Sequence, residues 1–176
     1  MIYIALLRGI NVGGHKKFPK VKQLEMLDTL KFENPKVYLH TGNWIFTSEI
    51  SVVEVSAKIE NAIHKKYGWQ VPVIVFKASE ILQIFNACPF SEEIKVKSYF
   101  TLLDRKPTLE NRTNLNEYNY PDEEFYITNN CIYFYPVHGA GRAKMSNNFF
   151  ENKLKVTATS RNYKTMNKII KLSTPL

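Results

Sequence analysis

The stretch Val37-Tyr38-Leu39-His40-Thr41-Gly42-Asn43-Trp44-Ile45-Phe46-Thr47 decides how the first half of the chain folds. Two short β-type runs, 37–40 and 44–47, flank Thr41-Gly42-Asn43, a turn signal that makes them a hairpin. On the N-terminal side, Val21, Leu24, Leu27 and Leu30 recur every three residues and predict a helix over about 19–31. Pro19 suits the first helical position, where a missing N–H costs nothing. Ahead of that helix the apolar run at 2–8 reads as a strand ended by Gly9. On the C-terminal side, Ser51-Val52-Val53-Glu54 is a capping box. The helix it opens carries Val52, Val55, Ile59, Ala62 and Ile63 on one face and stops near Gly68; residues 71–77 form the next strand, with Pro72 tolerable near its start. Residues 1–77 thus read β-α-β-β-α-β, the ferredoxin-like split unit. In the first and last of these strands neither alternating face is polar, so both faces of the sheet are expected to be covered. Two helices cover one face, which leaves the other to the second half of the chain or to another subunit.

That second half is less regular. A short helix is expected at 79–87 and a strand at 96–103, followed by a polar, Asn-rich loop over 105–123 with at most one helical turn. Strands at 124–128 and 131–137 flank Asn129-Asn130, read as a two-residue hairpin of the primed type. His138-Gly139-Ala140-Gly141-Arg142-Ala143-Lys144 then leads into a helix that Ser146 caps, with Phe149, Phe150 and Leu154 inward. A last helix starts near Asn162 and turns Tyr163, Met166, Ile169 and Ile170 inward. No internal repeat, low-complexity segment or flexible linker is visible. The expected architecture is α+β: a ferredoxin-like subdomain over 1–77, packed against a second α+β subdomain over 78–176 to complete one compact body.

The chain has 176 residues, 44% of them hydrophobic, which suits a folded protein of one domain or two small ones and excludes a disordered chain. No apolar run approaches the roughly 18 residues that cross a bilayer. The run at 2–7 lacks the basic segment of a signal peptide and is stopped by Arg8. Cys88 and Cys131 neither make a disulfide framework nor have metal-ligand spacing around them. A cytoplasmic protein without metal, cofactor or membrane contact is expected. Charge is placed unevenly: residues 1–22 carry +5 with no acid, residues 142–176 carry +7, and the middle carries −4. Such asymmetry suits a polyanionic or phosphate-bearing partner. A solvated basic surface meets it equally well.

Three groups of residues suit that chemistry. The first is Arg8-Gly9-Ile10-Asn11-Val12-Gly13-Gly14-His15-Lys16-Lys17, between a strand and a helix N-terminus. Paired glycines let backbone N–H groups approach an oxyanion, and Arg8, Lys16 and Lys17 supply counter-charge. The second is Asn43. In a β-α-β-β-α-β unit the end of the first strand meets the turn between the second and third, so Arg8–Gly14 and Thr41–Asn43 are expected at one rim. A turn residue tolerating a left-handed backbone is the plainer role for Asn43. The third is C-terminal: Arg142 after Gly139 and Gly141, and Arg161-Asn162 at the expected start of the last helix. Lys164, Lys168 and Lys171 make a stripe that reads as the solvated side of that helix.

Catalytic groupings are weak. His15, His40, His64 and His138 show no metal-binding spacing, and neither cysteine has a nucleophile signature. The acids Asp122-Glu123-Glu124 read as solvated. Tyr3, Trp44 and Phe46 invite comparison with the stacking platform of RNA-recognition domains, but the basic-Gly-aromatic octamer is missing, and core packing is the better reading.

The runs Ile4-Ala5-Leu6-Leu7-Arg8-Gly9-Ile10-Asn11-Val12-Gly13-Gly14, Tyr38-Leu39-His40-Thr41-Gly42-Asn43-Trp44-Ile45-Phe46 and Asn148-Phe149-Phe150-Glu151-Asn152-Lys153-Leu154, the last leading to Ala158-Thr159-Ser160-Arg161-Asn162-Tyr163, resemble the family catalogued as domain of unknown function 1697. The resemblance implies a cytosolic α+β protein of a mainly bacterial family, with two halves in one body and no established activity. Where other members usually have Gln-Ser-Gly-Asn, this chain has His40-Thr41-Gly42-Asn43. Three functions follow as expectations. The first is recognition of a nucleic acid or nucleotide at the Gly-Gly loop and basic rim. The second is an enzyme acting on a small phosphorylated metabolite, with His15 or His40 as acid–base. The third is an oligomeric interaction module without catalysis.

Overall fold

Strand β1 (Ile2–Leu7) sits inside a four-stranded antiparallel sheet ordered β2 (Glu33–Tyr38), β3 (Asn43–Thr47), β1, β4 (Val73–Lys77). The computed structural model describes residues 1–174; positions 175 and 176 of the expected second half lie outside the described residues. By internal contacts the chain divides into two units, Met1–Gln83 with Lys168–Leu176, and Ile84–Asn167.

In the first unit the elements run β1, α1 (Lys20–Thr29), β2 (Glu33–Tyr38), β3 (Asn43–Thr47), α2 (Val52–Tyr67) and β4 (Val73–Lys77), the ferredoxin-like order. Side chains alternate across β1, so Tyr3, Ala5 and Leu7 join Trp44, Phe46, Val73 and Val75 in one core cluster with Leu27, Ile59 and Ile63 from the two helices. Ile4, Leu6, Ile45, Ile74 and Phe76 take the opposite face, and they are buried too. Helix α7 (Tyr163–Ser173) is tied to the edge of the same face: Lys36, paired with Ile45, donates from Nζ to the Leu172 carbonyl at 2.9 Å. Helix α2 opens with the expected capping box, Ser51 and Glu54 bonding each other's backbone N–H, and closes at Gly68 in a left-handed conformation. Helix α1 is turned relative to the sequence reading. Gln23, Met26 and Leu27 face inward, Leu24 is partly buried, and Val21 is exposed.

The second unit repeats this order. Strand β5 (Tyr99–Leu103), α5 (Leu109–Asn116), β6 (Glu123–Ile127), β7 (Cys131–Pro136), α6 (Asn147–Leu154) and β8 (Ala158–Asn162) form β-α-β-β-α-β again, with a sheet ordered β6-β7-β5-β8. Matching hydrogen bonds mark the equivalence: Leu7 N–H to the Gly42 carbonyl has its counterpart in Leu103 to Asn130, and Arg8 to Pro72 has its counterpart in Asp104 to Thr157. Each repeat is followed directly by a helix, α3 (Ala78–Asn86) and α7. A repeat of fold is therefore present where the sequence shows none.

Several expectations are corrected here. Residues 105–123 contain α5, two turns long, and a short helix α4 (Glu92–Lys95) precedes β5. Residues 158–162 are the strand β8, absent from the sequence reading. Asn129 and Asn130 have no positive φ, so their turn is not of the primed type; the Thr128 hydroxyl instead accepts from the Cys131 N–H.

Candidate functional site

The repeat gives each unit an internal control. Between β1 and α1 the first unit has residues 8–19, whereas the same connection in the second unit is only 104–108. Such a connection is commonly 2–6 residues long, so residues 8–19 add something the fold does not need. The loop is also well built. Its Asn11, at φ 54°, donates from Nδ2 to the Phe18 carbonyl at 2.8 Å and to the His40 carbonyl, and its Oδ1 accepts from the Phe18 N–H. Asn11 N–H also bonds the Lys16 carbonyl, and His15 N–H the Val12 carbonyl. Gly13 and Gly14, with φ of 59° and 79°, form the tip of this small hairpin. Two successive left-handed residues are what a type I′ turn requires. The tip is therefore separated from α1, which begins at Lys20 with Pro19 as its N-cap.

The predicted rim exists within the first unit. Leu6 pairs with Asn43, and the loop after Leu7 lies against the 39–42 turn. Gly42 is required there: at φ 81° a Cβ would come within 2.6 Å of Leu7 Cβ and 2.9 Å of Ile10 Cδ1. Asn43 is fully buried and donates to the Tyr38 carbonyl at 2.9 Å. Asn11 and Asn43 thus shape the rim from within. Gln23, which the sequence reading passed over, ties it together. Its Nε2 donates to the Phe18 and His40 carbonyls, and its Oε1 accepts from Trp44 Nε1 at 2.6 Å. A glutamine buried beside Met26 and Leu27 leaves no trace in helical periodicity.

The charged side chains divide by exposure. Arg8 and Lys16 are half-buried, and Lys16 Nζ reaches the Gln70 carbonyl. His15, Lys17 and Lys20 are exposed, and among the described residues Lys17 and Lys20 have no acidic partner. Lys22 is paired with Glu25 at 2.9 Å, which raises its pKa through the hydrogen bond and the carboxylate's charge. At the equivalent rim of the second unit charge is neutralised: Asp104 pairs with Arg105 at 2.7 Å and accepts from the Thr157 N–H.

The remaining predicted residues belong to the second unit. Arg161 lies in β8 opposite Phe100, is nearly buried, and donates to Thr159 Oγ1 and the Ser160 carbonyl. The last helix does start near Asn162, as expected, but Arg161 precedes it within β8. Asn162 ends the strand, and its Oδ1 accepts from the Thr165 N–H, capping α7 and occupying a first-turn amide. Arg142 is exposed in the long β7–α6 loop. The acids at 122–124 are not all solvated, because both Glu123 carboxylate oxygens accept from the backbone N–H groups of Lys144 and Met145. Tyr3, Trp44 and Phe46 are buried, so the first sheet presents no aromatic platform. Burial pushes the Cys131 thiol far up, and that of Cys88 to a lesser extent, which keeps both as thiols. Among the described residues no three His, Cys, Asp or Glu stand as a metal site, and no helix is long and apolar enough to cross a membrane.

Fold and rim together define an α+β protein of two ferredoxin-like repeats, the first with an inserted basic hairpin. The chain belongs to the family described as protein of unknown function, DUF1697, whose model matches residues 1–133. No curated protein matches it. Among solved structures it is similar to the conserved bacterial protein SP0830 from Streptococcus pneumoniae, with a TM-score of 0.78 and 21% identity over 98% of each chain. That likeness is one of fold.

Proposed function

We propose that this protein recognises phosphate-bearing ligands through the β1–α1 loop, a nucleic acid before a free nucleotide, and that it does so in the cytoplasm. The observation that carries the reading is the inserted hairpin itself. It is longer than its counterpart in the second unit, is pinned by Asn11, and carries His15 and Lys17 exposed, with Lys20 exposed at the start of α1, in a 22-residue stretch without an acid. Lys16 stands at the base of the loop and adds to its potential. A rigid loop holds its charges in place, so less ordering opposes binding. Free thiols fit a reducing compartment.

The test is fluorescence anisotropy with labelled single- and double-stranded DNA and RNA at about 50 and 200 mM salt. Phosphate neutralisation predicts micromolar or tighter binding that weakens steeply with salt. Absence of binding at the lower salt contradicts the nucleic-acid reading.

A further inference from the structure

The same internal comparison singles out one more segment. Between β7 and α6 the second unit has residues 137–146, where the first unit connects β3 to α2 with only 48–51. The longer loop is again fixed rather than slack. Glu123 clamps its far end through two backbone N–H groups at 2.7 and 2.8 Å, and Ser146 caps the helix that follows. Val137 N–H bonds the Asp122 carbonyl at its near end. Between loop and β6 lies a cleft of about 320 Å³ lined by Tyr120, Asp122, His138, Arg142 and Lys144. Ligand pockets start at roughly this size.

The charges in the cleft are not equivalent. Glu123 is committed to the two amides it clamps. Asp122 faces His138 Nε2 at 3.4 Å. Arg142 makes no side-chain hydrogen bond or ion pair among the described residues, and Lys144 Nζ lies 5.3 Å from the Tyr120 ring centroid. The cleft therefore offers a free guanidinium beside a half-buried aromatic ring. That ring continues into a row, with Phe149 edge-on to Tyr120 at 6.1 Å and to Tyr118 at 5.3 Å.

We infer that this cleft binds a nucleoside phosphate, the base against Tyr120 and the phosphate on Arg142 and Lys144. A guanidinium fork matches phosphate oxygens, and aromatic rings accept the π-face of any base. The ligand is a free nucleotide or one residue of a single strand, since the recognised chemistry is shared. The site lies wholly in the second unit and does not depend on the β1–α1 loop.

Calorimetric titration of the full chain with adenosine monophosphate, adenosine and inorganic phosphate tests it, alongside a short single-stranded oligoadenylate. Saturable binding of the monophosphate is expected, with adenosine and phosphate each at least about ten-fold weaker. Arg142→Gln, an exposed change that leaves the fold intact, is expected to weaken the monophosphate about ten-fold. Tyr120→Leu, checked for folding by its melting curve, weakens adenosine as well. A Lys17→Ala/Lys20→Ala variant keeps this binding in full, which separates the cleft from the loop. Tighter binding of the oligoadenylate per site supports the cleft and assigns the ligand to a strand; preference for the free monophosphate supports it and assigns a nucleotide. No binding of the monophosphate, equal binding of inorganic phosphate, or an unchanged affinity in Arg142→Gln overturns the proposal.

Discussion

Gly42 and Gly14 both have φ near 80°, yet only Gly42 is sterically enclosed. A Cβ at Gly14 meets nothing within 4 Å, so Gly14→Ala carries only the left-handed backbone penalty, about 1–2 kcal/mol. At Gly42 the same penalty adds to a clash with the Leu7 Cβ and the Ile10 side chain, and Gly42→Ala is expected to cost about 2–4 kcal/mol. Urea denaturation of the two variants measures the difference; equal midpoints would mean that the rim is not packed as described. Gln23 belongs to the same scale. Gln23→Leu strands the Trp44 indole N–H in the core and leaves the Phe18 and His40 carbonyls with Asn11 as their side-chain donor, a loss of about 2–4 kcal/mol by the same measurement. It is also expected to loosen the hairpin, read as faster amide exchange at Asn11 and Phe18.

Between residues and the whole chain, the elements show what was legible in the sequence. The first repeat could be read because α2 has strict apolar periodicity and a capping box, and because β1 and β4 are apolar on both faces. The second repeat was hidden by two polar elements. Helix α5 is Leu-Glu-Asn-Arg-Thr-Asn-Leu-Asn with Leu115 as its one buried residue, and β8 is Ala-Thr-Ser-Arg-Asn. Neither has the composition of its class; tertiary context forms them, through Thr108 capping α5 and through the pairing of β8 with β5. Missing β8 also moved Arg161 to a helix start. The N-cap serines of α2 and α6, Ser51 and Ser146, were readable in both units because side-chain capping is local. Ser146→Ala is expected to cost about 1 kcal/mol in denaturation and to increase exchange across 137–146, since that cap anchors the loop.

At the scale of the whole molecule, pH reports on the second unit's core. Cys131 is completely enclosed and the Tyr133 hydroxyl donates to the Ile84 carbonyl; burial pushes both acids upward. In the folded chain they stay protonated at pH values where the unfolded chain ionises. Their contribution is therefore complete below the unfolded thiol value of about 8.5 and is lost as pH rises beyond it. The thermal midpoint is expected to fall between about pH 8.5 and 10.5, less steeply in Cys131→Ala. The same burial predicts that iodoacetamide labels Cys131 only on unfolding, as mass spectrometry of native and denatured samples can show.

Two repeats of one fold, each with a long loop carrying exposed basic residues, make those loops places where this chain departs from its own scaffold. The direct test of the first loop is the salt dependence of nucleic-acid affinity in the wild type and in Lys17→Ala/Lys20→Ala. If those side chains neutralise phosphates, removing both makes the slope of log K against log salt shallower by roughly 1.4 on single strands or 1.8 on duplex, with melting unchanged. An unchanged slope and affinity would contradict the assignment of binding to this loop.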